Sequence, residues 1–556
     1  MATLGDVVLL PVSEFESGAD LNGDTDTNDR VLHRFDTRTD AVINLMLACA
    51  GPILTSDQRF AFTVSEGSQR ADLNGDGDTA DRVWHIHDLT AQTTTNLGIA
   101  APAVGDGIGT IGGFILLRSE LGEGIDLNGD GDVLDDIAVI FDGVTGALGV
   151  VVPGAYAIGR PLVARNGRIL IPRSEASAAT DLNLDGDQID IVLGAVAFGS
   201  GVPTFFELGR AVSTLPYTMT DDAAAYFIDE ATGTLDVNGD GDMTDAIIAV
   251  FNFPGGAGFG ESTPFNGGTP GFAMAASAVV GIGAGQHHIM VAISEGSHFG
   301  TDLNIDGDMF DSVLGWVDTN AAPTVMNLVP RAVGNLTPSI DGTRGLFVVR
   351  EANEGIFVGT DLNGDGDDQD EIAFRLDTTA GTVTNLGFAV NLLATRGDDA
   401  LLGVLEAAQG RGPLNEDGDT DDTVLRYLDL NTLATRNLAI VSAEFTFVRR
   451  APDDLRLAAI LAEGQSVPFG DLNEDGDMND RALVLVKVDS TGATPLVVAP
   501  TPEVSDTAAT DMLPPLEVNA DVFLIPTSEN FVGQDRNADA DSTDTVLTEI
   551  TVKPPP

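Results

Sequence analysis

An acidic decapeptide recurs ten times along the 556-residue chain, from "DLNGDTDTND" at residue 20 and "DLNGDGDTAD" at 72 to "DRNADADSTD" at 535. Its common form is D-x-N-x-D-G-D-x-x-D. Oxygen-bearing side chains at positions 1, 3, 5 and 7 let a tight loop wrap a hard cation, with glycine at position 6 permitting the sharp turn. An acid at position 10 closes the set. The candidate ligands are Asp20, Asn22, Asp24, Asp26 and Asp29 in the first copy and Asp72, Asn74, Asp76, Asp78 and Asp81 in the second. Asp126, Asn128, Asp130, Asp132 and Asp135 follow in the third, and Asp181, Asn183, Asp185, Asp187 and Asp190 in the fourth. The fifth and sixth offer Asp236, Asn238, Asp240, Asp242 and Asp245, then Asp302, Asn304, Asp306, Asp308 and Asp311. The seventh supplies Asp361, Asn363, Asp365, Asp367 and Asp370, and the eighth only Asn415, Asp417, Asp419 and Asp422, because Pro413 replaces its first aspartate. Asp471, Asn473, Asp475, Asp477 and Asp480 make the ninth, and Asp535, Asn537, Asp539, Asp541 and Asp544 the tenth, where Ala540 replaces the glycine.

Every candidate donor is a carboxylate or amide oxygen, which argues for Ca²⁺ over zinc or copper. Mg²⁺ suits the pattern less, since it keeps several waters and rarely takes an all-protein cage. About ten calcium sites are therefore expected, with the eighth and tenth the weakest. The charge agrees. Acidic residues number 86 against 27 basic ones, for a formal net charge of −59, and most of that excess lies in the decapeptides. Carboxylates about 4 Å apart repel by roughly 4 kcal/mol per pair even at an effective dielectric of about 20, so such clusters make sense around a cation. The same charge excludes binding to a nucleic-acid backbone and disfavours anionic lipid.

Loops of this kind need strands to hold their ends. Before each decapeptide comes a short apolar run ending in glutamate, as in "FAFTVSE" to Glu66 and "RILIPRSE" to Glu175. After it comes another, such as "RVWHIHD" (82–88) or "EIAFRLD" (371–377), ending in a hairpin signal. A further strand follows, such as "TTTNLGIA" (93–100), and a weaker segment, such as "APAVGDGIG" (101–109), leads into the next unit. No stretch of ten or more residues carries a helical apolar period. Runs that are apolar on both faces must be buried on both sides. The expected fold class is all-β, a β-propeller-like array of ten four-stranded repeats spaced 52 to 66 residues apart. A linear solenoid is the structural rival. The array reads as one continuous domain over 1–556, the alternative being two five-repeat propellers over 1–270 and 271–556. The irregular segment 252–271 reads as a long hairpin loop. At the ends, strands 7–12 and 546–552 lack an expected neighbour, so they either share one blade or pair between subunits.

The unit as a whole resembles known families. "DLNGDGDTADRV" is similar to the calcium loops of FG-GAP and VCBS-type propeller repeats, and to dockerin and EF-hand loops. The wider unit resembles TolB-like propeller blades. The resemblance implies a calcium-stabilised extracellular propeller, although here the closing acid stands at position 10 and position 7 is an aspartate. The glutamate six residues upstream of the loop (Glu14, Glu66, Glu120, Glu175, Glu230 and Glu529) either completes the metal shell or hydrogen-bonds the loop amides.

Little else suggests chemistry. The chain has six histidines, of which His85 and His87 alternate on one strand and read as strand decoration over a metal pair. Cys49 is the one cysteine, so no internal disulfide can form, and it reads as a small buried residue. Trp84 and Trp316 read as core. No nucleophile elbow, HExxH or phosphate loop is present, and the regularity of the repeats speaks against an enzyme. No stretch is long and apolar enough to span a bilayer. The start lacks the basic flank of a signal peptide, so the chain is either cytosolic or a processed form, and the calcium loading favours an extracellular or cell-surface place. The function expected is a secreted, calcium-binding structural or adhesive protein able to self-associate through terminal strands into surface layers or filaments. The alternatives are a propeller lyase or glycosidase and a calcium-dependent carbohydrate-binding module.

Overall fold

The computed structural model describes all residues except 104–106, 200–201, 215, 233–242, 245, 254–272, 275–281, 296–301, 321–325, 355–358, 411, 442–443, 452–453, 463–480, 489–515, 520–521, 529–544 and 552–556. The first sheet is an antiparallel meander of β1 (Ala2–Leu4), β2 (Val7–Ser13), β3 (Arg30–Asp36) and β4 (Ala41–Ala48). The second repeats it with β5 (Leu54–Ser56), β6 (Arg59–Ser65), β7 (Arg82–Asp88) and β8 (Thr93–Ala101), and the third with β9 (Gly107–Thr110), β10 (Gly113–Ser119), β11 (Asp136–Asp142) and β12 (Ala147–Val151). The antiparallel order continues along the chain, with an extra short strand (Ala155–Tyr156) on the fourth sheet and three strands among the described residues of the ninth and tenth, giving the all-β, blade-like architecture expected. The strand Thr382–Arg396 runs from the seventh sheet into the eighth. Helix is confined to single turns, and among the described residues no helix is long and apolar enough to cross a membrane.

Each decapeptide joins the second strand of its sheet to the third. These two strands pair over seven residues in one register, Val7↔Asp36 to Ser13↔Arg30 in the first sheet and Arg59↔Asp88 to Ser65↔Arg82 in the second. The weak segment between units is therefore the first strand of the next sheet and not the last of its own. Its pairing is set by two-residue hairpins: Leu4 faces Val7 across Gly5 and Asp6, and Thr110 faces Gly113 across Ile111 and Gly112. This corrects the expectation for the start of the chain, because β1 covers the edge of β2. The strands on either side of 252–271 pair with each other, Ala246 opposite Met274, as a hairpin connection requires.

Apolar residues on both faces of the middle strands pack against the neighbouring sheets. Phe60, Phe62 and Val64 of β6 meet Leu9 and Leu32 of the first sheet, while Ala61, Trp84 and Ile86 turn the other way onto Phe114, Leu116 and Phe141 of the third. The alternation of strand side chains thus fills two interfaces from one strand. The sheets within Met1–Ser213 form one compact unit and the sheets that follow form a second. In the second unit the fifth to eighth sheets stack by the same rule, through Ile248 on Val291, Leu314 on Phe347 and Leu346 on Leu402.

Trp84 is fully buried and its Nε1 donates to the Leu117 carbonyl of the next sheet at 2.8 Å. Replacing it by phenylalanine removes ring volume and leaves that carbonyl unpaired. W84F should destabilise the unit containing it by about 2–3 kcal/mol, measured as an earlier urea transition of the purified chain.

Candidate metal centres

The second strand ends in serine and glutamate, and the chain turns there for one helical turn. Ser13 caps that turn by accepting from the Glu16 amide, Ser65 from Ser68 and Ser174 from Ser177. The glutamate after the serine is fully buried in Glu14, Glu66, Glu120 and Glu175. Its own amide donates to the carbonyl of loop position 10, at 2.9 Å for both Glu14 to Asp29 and Glu66 to Asp81. Its carboxylate then organises the loop. Glu14 Oε1 accepts from the amides of Leu21 (2.6 Å) and Asn22 (3.2 Å), and Oε2 from Asp29 (3.2 Å). Glu66, Glu120, Glu175 and Glu351 make the same three bonds in their loops. In Glu295 and Glu406, Oε2 is buried and takes no hydrogen bond.

Within the loop each acidic position has a distinct task. The first aspartate braces the backbone: Asp72 Oδ1 accepts from Gly75 at 2.6 Å and Oδ2 from Gly77 at 3.1 Å. Asn74, Asp76 and Asp78 each accept through Oδ1 from the amide two residues on. This occupies one oxygen per side chain. Asn74 Nδ2 also donates to Asp81 Oδ2 at 3.1 Å, joining position 3 to position 10. The pattern holds in the first, third, fourth, sixth and seventh loops. In the eighth, Pro413 has no acceptor for the first task.

The acids that converge are the upstream glutamate and positions 7 and 10. One oxygen from each lies within 4.8 Å of the others in Glu66–Asp78–Asp81, Glu120–Asp132–Asp135 and Glu175–Asp187–Asp190. Position 5 joins them in the first loop (Glu14, Asp24, Asp26, Asp29) and the eighth (Glu406, Asp417, Asp419, Asp422). Position 1 stands apart, tied to the turn. The loss of Asp at 413 thus removes a brace and no member of the cluster. The glutamate combines the two roles between which the sequence left it, holding loop amides and belonging to the acidic cluster. The fifth, ninth and tenth copies (236–245, 471–480 and 535–544), with Glu529, lie outside the described residues apart from Met243 and Thr244.

Burial pushes the position-10 carboxyl up, to about 6 in Asp81, Asp190, Asp370 and Asp422 and to about 7 in Asp135 and Asp311. The carboxylate at position 5 adds to the rise in each. Such groups are short of positive charge, and their all-oxygen donor set fits a hard divalent cation. Asp81, Asp135, Asp190, Asp311, Asp370 and Asp422 would hold it with their upstream glutamates.

The loops also reach the next sheet. Asn22 Nδ2 donates to the Ser68 carbonyl (2.9 Å), Asn74 to Gly122 (3.1 Å) and Asn363 to Ala408 (2.8 Å), each in the turn after the following sheet's second strand. Asn353 Nδ2 likewise donates to Asp311 Oδ1 of the preceding loop. A second set of asparagines escaped the reading of the sequence. Asn44, Asn96, Asn385 and Asn437, on the fourth strands, donate to the carbonyl of loop position 2 at 2.7–2.9 Å. Their signal was the repeated "NL" 23 residues after that position.

The histidines of the second sheet add nothing to these clusters. His85 and His87 are buried with separate partners, the Val83 carbonyl (3.0 Å) and Thr94 Oγ1 (2.9 Å), and burial lowers both pKa values. They are neutral strand residues. Cys49 is half-buried, and less enclosed than expected, because it sits just past the end of β4. Trp316 packs half-buried on the core of the sixth and seventh sheets.

No protein-family model matches the chain and no curated protein matches it in sequence. Among solved structures, the β-propeller domain of the Trilobed protease from Pyrococcus furiosus is similar at 10% identity, over 69% of this chain and 95% of that one, with a TM-score of 0.28. BamB from Moraxella catarrhalis is similar at 10% identity, over 71% and 91%, with a TM-score of 0.28. A eukaryotic initiation factor aligns at 12% identity, over 89% and 95%, with a TM-score of 0.39. Likenesses this remote carry no functional information, and the fold assignment rests on the sheets themselves.

Two outcomes follow from the loop geometry. N96A should lower stability by about 1–2 kcal/mol and weaken cation binding at the second loop, read by melting with and without calcium. The second concerns pH. In metal-free protein the position-10 carboxyls hold a proton more tightly folded than unfolded, so their contribution is complete below about pH 4 and lost as pH rises through about 6 to 7. Melting temperatures in excess EDTA should fall between about pH 5 and about pH 8. Calcium added near pH 6 should release protons, and near pH 8.5 almost none. Proton release that does not depend on pH would refute the assignment of these groups.

Proposed function

We propose that the protein is a calcium-stapled scaffold of the β-propeller type that works outside the cytosol in a structural or adhesive role. The observation that carries this reading is the buried acidic cluster built alike in the loops, with its glutamate enclosed and its closing aspartate pushed to about 6 or 7. Five described loops gather the upstream glutamate with positions 7 and 10 in the same way, whereas a catalytic site gathers unlike groups in one place. The resemblance to FG-GAP and VCBS-type calcium loops supports the choice of ion. Loops of this type bind weakly in extracellular modules, matching the millimolar calcium found outside cells. The repeat architecture is compatible with a structural role in layers or filaments. No observation favours the enzyme or carbohydrate-binding alternatives.

Calcium then contributes much of the stability. With a dissociation constant near 10 μM and about 1 mM free calcium, each site adds roughly 2.7 kcal/mol. Several sites rival the whole stability of an ordinary domain, about 5–15 kcal/mol. Calorimetry in calcium and in excess EGTA should show melting temperatures tens of degrees apart, with magnesium restoring little. An identical melt in EGTA would falsify the calcium reading.

A further inference from the structure

Two residues break the repeat at the same place. Position 6 is glycine in six of the described loops (Gly77, Gly131, Gly186, Gly307, Gly366 and Gly418), but in the first it is Thr25. Thr25 holds φ at +85°, which is costly for a β-branched residue. The second exception is Arg70, which follows the helical turn Glu66–Gln69 with φ at +50°. The residue four after the buried glutamate is small in four other units, as Gly18, Gly124, Ala179 and Gly410, all with positive φ.

The two exceptions touch each other. Arg70 Nη1 donates to Thr25 Oγ1 at 2.7 Å, Nη2 donates to Asp26 Oδ2 at 2.7 Å, and Nε lies 3.2 Å from Asp24 Oδ2. The guanidinium fork of the second sheet thus grips loop positions 5, 6 and 7 of the first. Asp24 is almost fully enclosed, its side chain 2% exposed, and both aspartates belong to the cluster with Glu14 and Asp29. Among the described residues, no other patterned aspartate is held in an ion pair.

We propose that Arg70 is a built-in cation of the first loop, supplying the positive charge that a bound metal supplies in the others. The proposal rests on the calcium reading of those other loops. A guanidinium and a divalent ion compete for the same carboxylates, so metal can enter only by displacing a three-pronged contact. The first loop therefore keeps its shape and its link to the second sheet without metal, and it is the weakest calcium site of the described set. The hydroxyl of Thr25 explains why a strained threonine stands in a glycine position, since it accepts the third prong.

The test compares the full chain with T25G/R70G, which restores the small residues of the other loops, and with R70Q, which leaves Thr25 in place. Bound calcium is counted by equilibrium dialysis, and melts are recorded in EGTA and in saturating calcium. T25G/R70G should bind one more calcium per chain, its first loop tightening about tenfold or more. Both variants should melt below wild type in EGTA and close to it in calcium. Unchanged calcium stoichiometry together with unchanged EGTA melts would overturn the role of Arg70 while leaving the calcium reading intact. A calcium-soaked crystal of wild type with the first loop occupied as fully as the second would overturn it as well. Absence of bound calcium in all three proteins would overturn the calcium reading and this proposal with it.

Discussion

A carboxylate removed from water must be fully hydrogen-bonded, paired or protonated, and the glutamate that follows the second strand of the first eight sheets is removed from water. It meets the requirement with amides from the loop that follows it, taking three in the first four described loops. That choice dictates the rest of the unit. Positions 2, 3 and 10 of the loop must return to one point, so the decapeptide folds back on the strand end, and its acids at 7 and 10 are driven together. The third strand then leaves from position 10 in fixed register with the second.

The same loops tie one sheet to the next. Side-chain alternation already requires each middle strand to be covered on both faces, which forces sheets to stack. The asparagine at position 3 adds a polar contact across the junction, from Asn22 to Ser68 and from Asn74 to Gly122. Because that asparagine also donates to the closing aspartate, the acidic cluster and the junction share a residue. Charge placed in the cluster is therefore felt by the neighbouring sheet. In the proposed reading, a cation there stabilises a loop and an interface at once.

Much of this was legible in the amino-acid order, for physical reasons. A ten-fold acidic pattern between two apolar runs could only be a loop between strands, and alternating apolar side chains on both faces required stacked sheets. What was missed lay in segments without such periodicity. The first strand of each sheet is as short as Ala2–Leu4 or Gly107–Thr110, too brief to show alternation, and its pairing depends on a two-residue turn. The fourth-strand asparagines were visible as a repeated "NL" but pointed nowhere until the fold brought Asn96 to Leu73. Arg70 and Thr25 are 45 residues apart and gain meaning only from their contact. Position 4 of the loop, left-handed in Leu184 and Ile305 as well as in Gly75, showed no signal because side chains there point outward.

The first loop shows why a cluster of this kind cannot stand unbalanced. Aromatic residues make up only 6% of the chain, and the sheet interfaces are built largely of alanine, valine, isoleucine and leucine, each burying modest area. Interfaces so composed leave little surplus to absorb the repulsion of three or four carboxylates at every junction. In the first loop that repulsion is met from within the chain, by a guanidinium held in a left-handed backbone and a strained threonine that completes its contacts. A strained threonine is retained there where six described loops have glycine. The second, third and seventh loops have the same buried glutamate, yet the turns that face them end in Gly124, Ala179 and Gly410, too short to reach. In the proposed reading their positive charge comes from outside the chain, as a small divalent cation that suits an oxygen-only donor set.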